Sequence, residues 1–142
     1  MSRVQLALNV ADIDAAVGFY SKLFATEPAK RRPGYANFAI AEPPLKLVLI
    51  EGDRQPGSLN HLGVEVTSTD EVAAATARLQ GSGLPIATEA NVSCCYAVQD
   101  KVWVDAPDGE AWEIYTVLAD ADVMKGDAMC CDSAAESAAR CC

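Results

Sequence analysis

Leu59-Asn60-His61-Leu62-Gly63-Val64-Glu65-Val66 contains the one histidine of a 142-residue chain and repeats the pattern with which that chain begins. His61-Leu62-Gly63-Val64-Glu65-Val66 aligns with Gln5-Leu6-Ala7-Leu8-Asn9-Val10 at a constant offset of 56 positions, so His61 stands where the first copy has Gln5. In that first copy Gln5, Ala7 and Asn9 alternate with Val4, Leu6, Leu8 and Val10, the period of a strand with two different faces. The duplication makes a metal the expected partner of His61. A strand histidine satisfied by hydrogen bonds is the plainer reading, and for Gln5 it is an inward amide bonded to backbone.

Each copy continues in the same way. Asp12 is a helix N-cap, and Ile13, Ala16, Val17, Tyr20, Leu23 and Phe24 follow at helical spacing, which predicts a helix over 12–24. Strands are predicted near 27–31, 35–40 and 45–50, separated by Pro33-Gly34 and Pro43-Pro44. The polar, turn-rich residues 51–58 read as a linker. In the second copy a helix from about Asp70 to Gln80 ends at Gly81-Ser82-Gly83, and strands fit 85–89, 97–105 and 112–118. The expected domain is 1–118, with modules of about 3–50 and 59–118. Residues 119–142 read as a mobile tail bearing Cys130, Cys131, Cys141 and Cys142.

A chain of this length buries roughly 68% of its unfolded surface, enough for a core without disulfide staples. The composition is 51% hydrophobic and 22% charged, a globular balance. Net charge is -9, from 11 Lys and Arg against 20 Asp and Glu, and no basic run exceeds Lys30-Arg31-Arg32, so nucleic acid is excluded as a partner. With no long apolar run and no export signal, the protein is expected to be cytoplasmic and not to bind membranes.

The six cysteines form three adjacent pairs, of which Cys94-Cys95 lies in the predicted domain. Cytosolic thiols usually stay reduced, and neighbouring cysteines form a strained ring if they bond to each other. Each pair therefore suits one shared soft ion such as trivalent arsenic, cadmium or zinc, against the alternative of buried packing cysteines. Residues 87–96 read as a mobile loop leading into a strand. Glu113, in Trp112-Glu113-Ile114-Tyr115-Thr116-Val117, is an acid on a largely apolar strand, which requires either a metal or a salt bridge to Lys46 or Lys101.

Two tandem strand-helix-strand-strand-strand units with donors on matching strands resemble the vicinal oxygen chelate superfamily. That resemblance implies an α+β fold of two βαβββ modules forming an open curved sheet around a divalent metal. Its metal ligands, carried across, are Gln5, His61 and Glu113, with the remaining equivalent place near Leu47 left apolar. Adding Cys94-Cys95, Gln99-Asp100-Lys101-Val102-Trp103-Val104 and Pro33-Gly34-Tyr35-Ala36-Asn37-Phe38-Ala39-Ile40 makes the chain similar to the organoarsenical lyases and to related cadmium-induced proteins. The resemblance implies an iron(II)-dependent dioxygenase, with dioxygen as cosubstrate, that cleaves the carbon-arsenic bond of trivalent methyl or aromatic arsenicals and releases arsenite. Cys94 and Cys95 would bind the arsenic, and the enzyme would act as a monomer or homodimer. Two other readings are a glyoxalase-type metal-dependent isomerase and a non-catalytic thiol protein that sequesters cadmium or arsenite.

Overall fold

The computed structural model describes residues 2–124, so Cys130, Cys131, Cys141 and Cys142 lie outside the described residues. The element order is β1 (Arg3–Val10), α1 (Ile13–Phe24), β2 (Lys30–Arg32), β3 (Tyr35–Ile40), β4 (Leu45–Glu51), β5 (Leu59–Glu65), α2 (Thr69–Gly81), β6 (Ile86–Cys94), β7 (Ala97–Asp105) and β8 (Ala111–Asp120). This is βαβββ twice, the α+β arrangement the repeat predicted. The chain divides into two compact units within β5, one spanning Arg3–Leu62 and the other running from Gly63 onward. Among the described residues no helix is long and apolar enough to cross a membrane.

In the first unit the strand order is β2-β3-β4-β1-β5. Strand β1 runs parallel to β4, placing Gln5 opposite Lys46 and Leu6 opposite Leu47. Helix α1 forms because Asp12 in extended conformation accepts from the Ala15 N–H at 3.0 Å, and Glu51 accepts from the Ile13 N–H at 2.7 Å. Its buried side, Ile13 and Val17, packs on Ala36, Phe38, Leu47 and Leu49, with Leu6, Leu8 and Val10 at the edge of the cluster. The face of β1 carrying Gln5, Ala7 and Asn9 is also buried, at 4%, 0% and 3% exposure, so the alternation seen in the sequence separates an apolar face from a partly polar one. Leu47 belongs to the apolar cluster with α1. Paired with Leu6, it lies on the other side of the sheet from Gln5, because neighbouring residues of a strand point to opposite sides.

In the second unit the order is β5-β8-β7-β6, and the Val66 N–H donates to the Tyr115 carbonyl at 2.8 Å. Helix α2 starts on Ser68, whose hydroxyl accepts from the Glu71 N–H, while the Glu71 carboxylate accepts from the Thr67 N–H and hydroxyl, each at 2.7 Å. Its buried side packs Val72 and Leu79 on Val102 and Ile114.

Two expectations are corrected in this unit. Residues 87–96 are not a mobile loop: β6 pairs with β7 through Cys94↔Ala97, with a bulge between Glu89 and Val92. The bulge accommodates Asn91 at φ 54°, whose N–H donates to Asp100 Oδ1 at 2.7 Å, so residues that read as loop formers instead adjust a strand. Nor does the ordered chain stop at Leu118. Strand β8 runs to Asp120, and residues 121–124 hydrogen-bond to the β6–β7 turn: Cys95 N–H to Met124 O (2.7 Å), Tyr96 N–H to Val123 O (3.1 Å) and Ala121 N–H to Tyr96 O (3.0 Å). Turn backbone groups need partners, and this segment supplies them.

Candidate functional site

The repeat places β1 and β5 as neighbours in the first unit, and this brings Gln5 and His61 together. Gln5 Nε2 lies 3.1 Å from His61 Nε2, and both side chains are buried. His61 Nδ1 lies 2.8 Å from Asn60 Oδ1. An amide nitrogen only donates and an amide oxygen only accepts, so the ring has its proton on Nδ1 and a lone pair on Nε2. Metal-bound imidazoles commonly have this arrangement, with one nitrogen fixed by a hydrogen bond and the other free to coordinate. Behind Asn60 the bonds continue. Asn60 Nδ2 donates to Asn9 Oδ1 (2.8 Å), Asn9 Nδ2 to Ser58 Oγ (2.9 Å), and the Ser58 hydroxyl to the Gln55 carbonyl (2.5 Å).

Glu113 lies in the second unit, on the face of β8 opposite Ile114 and helix α2. It is 3% exposed, and its Oε2 accepts from Lys101 Nζ at 2.8 Å in a salt bridge of two buried side chains. Lys101 is the counter-ion left open by the sequence as one alternative. Its Nζ also sits 5.3 Å from the Trp103 ring centroid and 5.8 Å from that of Tyr115. Burial pushes the Lys101 pKa down, but the charges of Glu113, Cys95 and Glu89 outweigh it, and the ammonium is held above its usual range. Among the described residues no group of three or more His, Cys, Asp and Glu is gathered so as to hold a metal, and the side chain beside His61 is the amide of Gln5.

The cysteine pair occupies the tip of the β6–β7 hairpin. Cys94 closes β6 and is 3% exposed, while Cys95 and Tyr96 form the two-residue loop with φ of 52° and 59°. Positive φ at both positions is the signature of a type I′ turn, normally supplied by Asn-Gly. The expectation of two reduced thiols fails for Cys94, which is disulfide-bonded, whereas Cys95 is in no disulfide. Adjacency argues only against a bond within the pair. A bond to any other sulfur is a tertiary matter that spacing does not reveal. Gln99, quoted in the sequence only as part of a motif, is buried at 3%, its Nε2 donates to the Cys94 carbonyl at 3.1 Å and its Oε1 has no hydrogen-bond partner. An unsatisfied buried oxygen is costly, and beside the thiols it suits a ligand with a hydroxyl or amine to donate.

The chain is thus a duplicated α+β protein of two βαβββ modules, with an imidazole and an amide on matching strands and a cysteine hairpin on the second module. The chain belongs to the Glyoxalase/Bleomycin resistance protein/Dioxygenase superfamily, whose family model matches residues 3–114. It has the vicinal oxygen chelate fold. It is 61% identical over 134 residues to a trivalent organoarsenical cleaving enzyme of Thermomonospora curvata, covering 92% of this chain and 89% of that one. It is 59% identical over 143 residues to the cadmium-induced protein CadI of Mycobacterium bovis, covering 93% and 94%. Among solved structures the Mn(II)-bound glyoxalase from Novosphingobium aromaticivorans aligns with a TM-score of 0.61 at 22% identity, covering 93% of this chain and 44% of that one, a likeness of fold alone.

Proposed function

We propose that the protein is a non-haem iron(II)-dependent dioxygenase that cleaves the carbon-arsenic bond of trivalent methyl or aromatic arsenicals and releases arsenite in the cytoplasm. The observation that carries this reading is the Gln5–His61 pair with its Nε2 lone pair directed at the amide, in a chain 61% identical to an organoarsenical cleaving enzyme.

Gln5, His61 and Glu113 would hold the metal, and an amide, an imidazole and a carboxylate are together a donor set that leaves coordination positions open for catalysis. Bound iron(II) would supply oxygen activation. The residues of the chain then have separate tasks. Cys95 is the first thiol to capture arsenic, and Lys101 favours its thiolate form through the same charge interaction that holds the lysine protonated. Capture by both thiols first requires reduction of the Cys94 disulfide by an external thiol. Each sulfur-arsenic bond then forms as one arsenic-bound hydroxyl leaves as water. Fixing the arsenic at the hairpin tip limits where its organic group can go, which is the contribution of proximity. Lys101 is paired with Glu113, so service of Glu113 as a ligand would mean that the lysine shares or releases that carboxylate.

A stoichiometric thiol trap for cadmium or arsenite is the second reading, favoured by the reduced thiol of Cys95 and the cadmium-induced relative. To separate the two, iron-loaded protein is mixed anaerobically with a trivalent methylarsenical, oxygen is admitted, and free arsenite is measured. Many equivalents of arsenite per protein are expected, with turnover and metal binding both lost in His61→Ala. Binding of a single equivalent with no arsenite released would refute the enzyme.

A further inference from the structure

The hydrogen bonds behind His61 run in one direction only, and their origin cannot be reversed. The Gln55 carbonyl is a backbone acceptor, so the Ser58 hydroxyl, 2.5 Å away, donates to it and leaves its own lone pairs for Asn9 Nδ2 at 2.9 Å. That orients the Asn9 amide with Oδ1 towards Asn60 Nδ2 at 2.8 Å, which in turn presents Asn60 Oδ1 to His61 Nδ1 at 2.8 Å. Amide orientations and imidazole tautomers are settled by such networks, and here each link determines the next. Backbone bonds hold the pieces in place: Asn9 N–H to Ser58 O (2.9 Å), Gly57 N–H to Asn9 O (2.8 Å) and Ser58 N–H to Gln55 O (3.2 Å). Asn9 is 3% exposed, so reversing its amide would bury an unmatched donor-donor contact.

We propose that the relay Gln55–Ser58–Asn9–Asn60 fixes the tautomer of His61, keeping the proton on Nδ1 and the lone pair on Nε2, with Asn60 as the positioning residue. The residues that read as a linker, 51–58, thus determine the chemistry of the buried imidazole from an exposed loop. For its functional meaning the inference rests on the reading of His61 as a metal ligand. A fixed neutral imidazole spares the metal the cost of selecting one tautomer and one ring orientation, and loss of such outer partners typically weakens metal affinity about 10–100-fold.

With a single histidine in the chain, the test gives one signal. In metal-free, 15N-labelled protein at about pH 8.5, where imidazole is ordinarily neutral, long-range proton-nitrogen correlation distinguishes the protonated ring nitrogen from the bare one. The wild type should show Nδ1 protonated. Asn60→Ala should move the proton towards Nε2 and weaken Mn(II) binding, followed by electron paramagnetic resonance, about 10–100-fold. Asn60→Asp, which keeps an acceptor at Nδ1, should retain the wild-type tautomer, and Ser58→Ala, at the outer end of the relay, gives a second variant should Asn60→Ala fail to fold. A protonated Nε2 in the wild type, or a tautomer unchanged in both Asn60→Ala and Ser58→Ala, would overturn the relay. A tautomer that follows these substitutions in a protein that binds no Mn(II) would uphold the relay and refute the metal reading instead.

Discussion

Replacing Lys101 by Met should be among the most damaging single changes in the second unit. The side chains of Lys101 and Glu113 are 1% and 3% exposed and meet at 2.8 Å, so Met fills much of the lysine stem but leaves a carboxylate in a space closed to water. Removing one partner of a buried pair costs about 3–5 kcal/mol, against a total stability of about 5–15 kcal/mol for a typical domain. Loss of the stacking of Nζ against Trp103 and Tyr115 adds to this. The double variant Lys101→Met/Glu113→Leu removes both charges and should recover most of the loss, because the cost lies in the orphaned carboxylate rather than the missing attraction. Urea unfolding of metal-free protein measures all three proteins under the same conditions. The pH dependence has a definite sign. The Lys101 pKa is raised on folding, so its contribution is complete below the unfolded value of about 10.4 and is lost as pH rises through the higher folded value. The single variant should therefore differ most from wild type below about pH 10. A cost under about 1 kcal/mol for Lys101→Met would refute the argument, because it would mean that water reaches Glu113.

Three further outcomes are expected. Without reductant, alkylation should label Cys95 and spare Cys94, and reduction should make Cys94 available; equal labelling of both before reduction would contradict the bonded state of Cys94. The Glu71 pKa is lowered, chiefly by the Thr67 side-chain hydrogen bond and then by backbone N–H groups, so its contribution is present above the ordinary carboxylate range and is lost as pH falls through the folded value. Glu71→Gln should thus narrow the gap in Tm between neutral and acidic pH, and an unchanged gap would show that the cap is not charge-assisted. Ala25 caps α1 at φ 51°, a conformation that costs a residue with a Cβ roughly 1–2 kcal/mol, so Ala25→Gly should stabilise by up to about 1 kcal/mol after the entropy of glycine is deducted, and a lower Tm would be the contrary result.

Periodicity carried the sequence reading furthest. The offset between Gln5 and His61 and the alternation around them were enough to fix two strands, their inward faces and the pairing of the two side chains, because strand geometry converts sequence spacing directly into direction. Asp12 and the Ser/Glu spacing at 68 and 71 are local signals of the same kind. What was missed depends on the partner across the sheet. The bulge at Asn91 forms against Asp100, the Cys94 bond is made to a sulfur other than its neighbour's, and Lys101 is chosen over Lys46 by the register of β7 against β8. The relay left one trace in the sequence: Asn9 and Asn60 are amides on strands with an inward face, and an amide buried there implies a partner. No local feature of Gln99 foretold that one of its oxygens would be left unmatched.

The hairpin tip also has a consequence for engineering. A program that improves this protein residue by residue for thermal robustness would go first to Cys95 and Tyr96, since Asn-Gly relaxes a turn of that geometry and no other pair in β6 and β7 has two positive φ values. The gain would be real and would remove the Cys95 thiol. The backbone at this turn thus marks where tolerance to heat and reactivity towards soft ions compete for the same two positions, and selection on melting temperature alone would favour a sturdier chain that no longer has the thiol.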